Sequence, residues 1–496
     1  MMKSLLLTAL MAASAHSAEK PNVLFIAVDD LKPMLGCYGD PVIKTPQIDR
    51  LASQGTTFLN AHCQQAVCGP SRASLLTGLR PDTTKVWDLK TRLRDMIPEV
   101  VTLPQHFKDH GYTSIGLGKT FDPRSVDGMM KNDPASWSRP YVKTSENPES
   151  QMGFVDPEFV ARAQAAKKEN RGNWDKMKQA LGGMPAVEID QDVSDTAYDD
   201  GIYAEKAVEL IAELSKDEKP FLLAVGFKKP HLPFVAPKKY ADLYLGDDIR
   251  LAEFQKMPEG APQVHFQDSW ELKNGSYAGY KEYQGKELPE ADQRQLVHGY
   301  MACVSYIDAQ VGKLLDALDE QGIADNTIVV FWGDHGWHLG DHGMWCKHTN
   351  YEQATRVPMI IARRAKGGKG AKTMSPVEFV DIFPTLCDLA GIPKLKELEG
   401  VSLTPVLDDS KAKVKDYAVS QYPRGGGGKE LMGYTLRDGR YRYIRWITKG
   451  DPSDMKFEEF YDYETDPLEK RSLIDDPAVA DEVKRFRAAT DQFLNS

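Results

Sequence analysis

The chain has 496 residues, of which 41% are hydrophobic and 27% charged. That length exceeds one ordinary core and calls for a large domain with a smaller companion, in a composition typical of soluble globular proteins. Its 62 basic residues are outnumbered by 72 acidic ones, for a net charge of -10, which argues against bulk binding to nucleic acid or an anionic membrane but leaves room for a local basic pocket that takes an anionic substrate.

The N-terminus opens with Lys3, the apolar run Leu5 to Ala13, and Ala15-His16-Ser17-Ala18. This is the charged, apolar and small-residue pattern of a signal peptide. We expect residues 1–18 to be a signal peptide, cleaved after Ser17 or Ala18, and the mature protein to be periplasmic or secreted. The run is too short to span a bilayer, and no later segment holds about 18 uninterrupted apolar residues. The six cysteines, Cys37, Cys63, Cys68, Cys303, Cys346 and Cys387, are scattered without C-x-x-C pairs. That spacing gives neither a disulfide framework nor a zinc ribbon, although one or two disulfides stay open.

The first predicted strand, Val23 to Val28, runs straight into Asp29-Asp30. Helical patterns follow over Thr45 to Ser53, from Cys68 to Gly78, and over Leu103 to His110, the last ending at Gly111 as a C-terminal cap. A second strand, Ser114 to Gly118, ends in Lys119. Residues 122–200 are polar, rich in Pro and Trp and weakly periodic. The third strand, Phe221 to Phe227, ends in Lys228-Lys229-Pro230-His231. Residues 236–290 again lack a clear period, and both weakly patterned stretches are read as insertions over the site. A long helix over Tyr300 to Gln321, closed by Gly322, leads to a fourth strand, Thr327 to Trp332, which ends in Gly333-Asp334-His335. Asp408-Asp409-Ser410-Lys411 reads as a linker and Gly425 to Gly428 as a flexible run. Tyr434 to Arg437 and Arg440 to Trp446 form a hairpin turned at Asp438-Gly439.

Apolar runs of this kind suit central strands of a parallel sheet covered on both faces, and their alternation with helices gives an α/β layered domain. Ligands of such sheets bind beyond the carboxyl ends of the strands. All four predicted strands end in groups able to hold a metal or an anion.

Cys68-Gly69-Pro70-Ser71-Arg72-Ala73-Ser74-Leu75-Leu76-Thr77-Gly78 carries the chemistry. Pro70 belongs in a first helical turn and Gly78 suits a helix end. Cys68 then sits at a helix N-terminus with Arg72 one turn on along the same face, an arrangement that binds anions and favours a low-pKa nucleophile. The motif C-x-P-x-R with a following T-G pair, together with the aspartate pair after the first strand, resembles the signature of the type I, formylglycine-dependent sulfatases. The similarity extends along most of the mature chain and is greatest to the iduronate-2-sulfatase branch. It is carried by Val28-Asp29-Asp30-Leu31-Lys32-Pro33, Leu35 to Asp40, Gln64 to Val67 and Arg80 to Thr84, then by Lys229 to Phe234, Asp334 to Trp337, Lys347-His348, Gln421 to Arg424 and Met432 to Tyr434.

The resemblance implies an alkaline-phosphatase-like sulfatase fold, with a large, mostly parallel central sheet sandwiched by helices and a smaller C-terminal α+β subdomain. We place the catalytic domain at 19–410 and the subdomain at 411–496. It also implies hydrolysis of O-sulfate esters of a sulfated sugar, in a glycosaminoglycan or an algal polysaccharide. Cys68 becomes formylglycine through a formylglycine-generating or sulfatase-maturating enzyme. One hydroxyl of the aldehyde hydrate attacks sulfur, and the other expels sulfate by collapse to the aldehyde, which a plain thiol or hydroxyl cannot do. One calcium ion is expected, held by Asp29, Asp30, Asp334, His335 and modified Cys68; the carboxylates suit a hard cation, while His335 is an unusual partner, which keeps magnesium and manganese open.

By the same resemblance Arg72 supports the diol and the metal ligands, Lys119 and Lys347 hold sulfate oxygens, and His231 or Lys347 protonates the leaving oxygen. The branch carries a histidine three residues after the lysine of the second strand end; this chain has Asp122, which is kept as a catalytic candidate. His335, His338 and His342 leave a zinc alternative, which the spacing supports only at His335. Arg92, Arg424, Lys429 and Arg437 are candidate partners for a sugar carboxylate. A phosphate or phosphonate ester hydrolase of the same superfamily and a noncatalytic glycan-binding protein are the alternative readings.

Overall fold

The computed structural model describes residues 20–128, 132–142, 152–364, 370–425 and 430–495. The expected signal peptide and Lys429 lie outside them.

The four apolar runs become neighbours in one seven-stranded sheet. In chain order its strands are β1 (Asn22–Val28), β2 (Gly55–Phe58), β3 (Thr113–Gly118), β4 (Phe221–Phe227), β5 (Thr327–Gly333), β6 (Met359–Arg363) and β7 (Ala371–Thr373). The spatial order is β7-β2-β6-β5-β1-β4-β3. β5, β1, β4 and β3 run parallel, so their carboxyl ends share one edge. β6 is antiparallel to both β5 and β2, which makes the sheet mixed.

Side chains along β1 divide by the strand's period of two. Leu24, Ile26 and Val28 join one buried cluster with residues of α1 (Pro46–Ser53), α6 (Asp199–Leu214) and α8 (Glu290–Glu320). Val23, Phe25 and Ala27 join another with residues of α2 (Cys68–Thr77), α3 (Leu103–Asp109) and α9 (Ile382–Ala390). Both faces are covered, which is why no polar alternation appears in the sequence of β1.

The structure corrects three expectations. β3 is an edge strand, and its outer side is covered by the backbone of Ser138 and Val142, bonded to Ser114 O at 2.8 Å and Gly116 O at 3.0 Å. The long helix begins ten residues early, at Glu290. The stretch 122–200 contains α4 (Pro157–Glu169) and α5 (Trp174–Leu181), whose start signals are Asp156 and Asn173, each accepting a hydrogen bond from the helix's own first turn. Between β4 and α8 the chain makes only short elements, among them α7 (Trp270–Lys273).

Beyond residue 410 a four-stranded antiparallel sheet follows, made of β8 (Ala418–Arg424), β9 (Leu431–Arg437), β10 (Tyr441–Thr448) and β11 (Asp451–Asp462). The expected hairpin is the β9–β10 pair, and its turn is tied by Asp438 Oδ1, which accepts from Arg440 N and Tyr441 N at 2.7 and 2.6 Å. α10 (Ala480–Leu494) packs Val483 and Phe486 on this sheet. None of the described helices is long and apolar enough to cross a membrane. All six cysteines are buried and unpaired.

Candidate functional site

Helix α2 is entirely buried and begins at Cys68, which is 1% exposed. Pro70 lies in its first turn, and Gly78, with φ of 69°, closes it by donating to Ser74 O. Arg72, one turn on from Cys68, projects to the sheet edge, fully buried. Its Nη2 donates to Asp29 Oδ1 and its Nε to Asp334 Oδ2, each at 2.9 Å, and its Nη1 donates to the carbonyls of Lys119 and Thr120. One guanidinium thereby ties together the ends of β1, β3 and β5.

Asp29, Asp30 and Asp334 show no exposure. Asp30 takes a left-handed backbone conformation, φ 58°, rare for a residue with a side chain. It is fixed from both sides: its N donates to Asp334 Oδ1 at 2.9 Å and its carbonyl accepts from Tyr300 at 2.8 Å. Lys119 reaches Asp29 Oδ2 at 2.6 Å. Its approach depends on Gly118, φ 69°, where a Cβ would overlap the carbonyl oxygen of Gly226. His231 Nδ1 lies 2.5 Å from Asp30 Oδ2, and Lys347 Nζ 3.0 Å from both oxygens of Asp30. Cys68 Sγ is 3.3 Å from His335 Nε2 and 3.9 Å from Asp30 Oδ1.

Ligand atoms of Asp29, Asp30, Cys68 and His231 lie within 4.8 Å of one another, as do those of Cys68, Asp334 and His335. Buried carboxylates packed this closely repel one another, and oxygen donors of this kind fit a hard divalent cation. His231, expected to face the leaving group, also stands within reach of that cluster.

Burial alone would raise the Asp29 and Asp30 carboxyls. The charges of Lys119 and Arg72 hold Asp29 well below the usual range, and those of His231 and Lys347 do the same for Asp30. Asp334 is raised by burial and by the charge of Asp29. Cys68 was expected to be acidic at its helix terminus; burial and the nearby Asp29 instead push its thiol well up.

Asp122 is buried but turned to Arg124, which donates Nε to Oδ1 at 2.9 Å and Nη2 to Oδ2 at 2.7 Å, while Lys119 Nζ stands 3.7 Å away. Burial raises its carboxyl, and the Arg124 hydrogen bond and Lys119 charge outweigh this, leaving it at about 2. His338 and His342 do not join His335 around a metal. His338 pairs with Asp341 O and Thr349 Oγ1, and His342 Nε2 with Leu468 O. Among the sugar-carboxylate candidates, Arg437 is paired with Glu352 at 3.2 Å, and Arg424 is spent on the carbonyls of Val264, His265 and His348. The Arg92 guanidinium packs over Gly128.

Glu271, on α7, is a site residue that sequence reasoning missed. Its carboxylate is 3.0 Å from Lys347 Nζ, 3.6 Å from His231 Nε2 and 3.9 Å from His348 Nε2. It stands in a polar stretch with no period and no motif, so no sequence signal marked it.

The model of the sulfatase family matches residues 21–392. That of the N-sulphoglucosamine sulphohydrolase C-terminal region matches residues 340–494. The chain is 34% identical to iduronate 2-sulfatase of Mus musculus, over 94% of this chain and 93% of that protein. It is 34% identical to iduronate 2-sulfatase of Homo sapiens, over 93% and 92%. A solved 2-O GAG sulfatase superposes with a TM-score of 0.67 at 26% identity, covering 96% of this chain and 92% of its own.

Proposed function

The chain belongs to the sulfatase family, and from that premise we propose that it hydrolyses an O-sulfate ester of a sulfated sugar with formylglycine at position 68 and one calcium ion beside it. The mixed sheet with its small C-terminal companion is the alkaline-phosphatase-like fold of sulfatases, and the protein is a sulfuric ester hydrolase. The observation that carries the finer reading is the position of Cys68: buried at a helix start, 3.3 Å from His335 and 3.9 Å from Asp30, with Arg72 of the same helix holding Asp29 and Asp334.

Asp29, Asp30, Asp334 and His335 hold the cation together with residue 68. When bound, calcium lowers the pKa of the hydrated aldehyde and polarises sulfate oxygens. The chain's own groups do the rest. Arg72 keeps two of the carboxylates in place. Lys119 and Lys347 offset charge on the sulfate oxygens, and the proton for the departing sugar oxygen is held at His231 or Lys347. Asp122, ionised down to about 2 by its Arg124 partner against the effect of burial, orients Lys119 rather than taking a proton from the diol. The iduronate 2-sulfatases that match over most of both chains support a uronate 2-sulfate, of glycosaminoglycan or algal origin, as substrate. Conversion of Cys68 calls for a formylglycine-generating or sulfatase-maturating enzyme as partner. We assign the cycle to residues 19–410, the supporting subdomain to 411–496, and the periplasm or the cell exterior as the location, after loss of residues 1–18.

Mass spectrometry of the peptide spanning residue 68, on protein co-expressed with its maturating enzyme, is expected to show formylglycine. Cys68→Ala is expected to abolish sulfate release, and the wild type to turn over an aryl sulfate far faster than an aryl phosphate. Active protein with an unaltered thiol at this position would overturn the reading.

A further inference from the structure

Glu271 is out of keeping with an anion site. A carboxylate beside sulfate-binding groups repels the substrate's charge, and burying one is costly unless something requires it there. Yet the chain builds α7 to deliver it. Gln267 Nε2 donates to Lys347 O at 3.0 Å, and Trp345 N donates to Ser269 Oγ at 2.9 Å, so the turn is bolted to the strand of chain that carries Lys347. Ser269 enters α7 in a left-handed conformation, φ 52°. Lys273, at its end, donates to Asp268 Oδ1 and Lys286 O at 3.0 and 2.8 Å. Trp270 is 70% exposed, so α7 lies at the surface with Glu271 turned to the site.

Within that frame Glu271 Oε1 accepts from Lys347 at 3.1 Å. Oε2 is enclosed, ion-paired with the same ammonium at 3.0 Å and 3.9 Å from His348 Nε2, so the part of the side chain that stays accessible lies away from it. Oε1, which has lone-pair capacity beyond the Lys347 bond, stands 3.6 Å from His231 Nε2, beside the two groups assigned to the oxygen linking sulfur to the sugar. On a pyranose chair, oxygens on adjacent carbons are gauche neighbours at hydrogen-bonding separation unless both are axial. A sugar whose ester oxygen reaches His231 and Lys347 therefore brings a gauche hydroxyl of the next carbon within reach of Glu271 Oε1.

We propose that Glu271 is a specificity residue that accepts a hydrogen bond from a free hydroxyl on the carbon next to the sulfated one, so that the substrate is a sulfated sugar with a vicinal hydroxyl and with no carboxylate or second sulfate at that position. This rests on the sulfatase reading and deepens it. A charged acceptor that gains a hydroxyl donor favours the substrate carrying it over the analogue lacking it, whereas a site that merely tolerates the hydroxyl does not.

The test uses the matured full chain. Hydrolysis of 4-nitrophenyl sulfate first establishes sulfatase activity by itself. A panel of monosulfated methyl pyranosides is then assayed, and the member cleaved fastest is compared with its analogue deoxygenated at the adjacent carbon. The wild type is expected to prefer the hydroxylated substrate by about tenfold to a hundredfold in kcat/KM, the worth of a hydrogen bond to a charged group. In Glu271→Gln and Glu271→Ala that preference is expected to collapse to within about threefold, whatever their absolute rates. A wild type indifferent to the hydroxyl, or variants that keep its full preference, overturn the proposal while leaving the aryl sulfate result standing. Failure to cleave any sulfate ester overturns the sulfatase reading and this one with it.

Discussion

Arg72 is a single fully enclosed guanidinium between two aspartates, each held at 2.9 Å. Charges at this separation in a dry interior interact strongly, and removing one partner strands the others. Arg72→Ala leaves Asp29 and Asp334 facing each other. We expect it to lower the free energy of urea unfolding by about 3–5 kcal/mol and to abolish sulfate ester turnover. Arg72→Lys keeps the charge but cannot bridge two carboxylates and two carbonyls at once, so it should recover part of the stability and little of the activity. An Arg72→Ala protein as stable as the wild type would show that the carboxylates are compensated elsewhere. Arg72 was legible because its spacing from Cys68 and Pro70 is a property of one helix. Asp122 was legible as a departure from a family pattern, but not its capture by Arg124, two residues on. Glu271 was not legible at all, since its meaning comes from Lys347, distant in the chain.

Among elements, α1 separates what is local from what is not. The sequence pattern places a helix over Thr45 to Ser53, and the helix runs from Pro46 to Ser53. Thr45 does not cap it; its hydroxyl accepts from Gly36 N at 2.9 Å. The cap is Asp308, from the middle of α8, whose Oδ1 accepts from Ile48 N at 2.7 Å and Gln47 N at 3.0 Å. Burial raises the Asp308 carboxyl to about 7, against the lowering effect of those backbone donors. In the unfolded chain it titrates near 4. A folded-state value above the unfolded one gives a contribution that is complete below about pH 4 and lost as pH rises through about 7, with a slope approaching about 1.4 kcal/mol per pH unit. Asp308→Asn keeps an acceptor for Ile48 N and removes the titration. Urea unfolding at pH 5 and pH 8 should therefore show the wild type losing stability relative to Asp308→Asn as pH rises. A constant difference would mean that Asp308 does not titrate in this window. The strands of the site needed no such distant partner: β1, β4 and β5 are covered on both faces, so continuous apolar sequence announced each, and the polar residue after each run fell at the sheet edge.

At the scale of the whole molecule, the sequence suggested two units joined near residue 410, and the structure welds them. Ser420 Oγ donates to Cys63 O at 2.6 Å and Gln421 N to Gln64 O at 2.7 Å, so β8 extends the backbone that leads into Cys68. Arg442, fully buried on β10, donates to Asn350 O at 2.6 Å and pairs with Glu352 and Glu469. Asn350 Nδ2 donates back to Gly433 O at 3.2 Å. Arg424 spans from Val264 O to His348 O, joining the insertion that carries Glu271 to the residue after Lys347. Composition marked the boundary because a linker is polar, but bonds between segments far apart in sequence leave no trace in composition. The subdomain is thus a brace on both approaches to the site, the one before Cys68 and the one around Lys347. A chain ending at residue 410 would strip the carboxylate of Glu352 of Arg437 and Arg442 and leave Asn350, Cys63 and Gln64 with unsatisfied backbone groups, each costing about 1–3 kcal/mol when it stays buried. Those losses together are comparable with the whole stability of a domain, about 5–15 kcal/mol. Residues 19–410 expressed alone should fail to unfold cooperatively in a thermal scan and should not cleave an aryl sulfate even when matured at Cys68. A truncated chain with a sharp transition and retained turnover would show that the two units are separable after all.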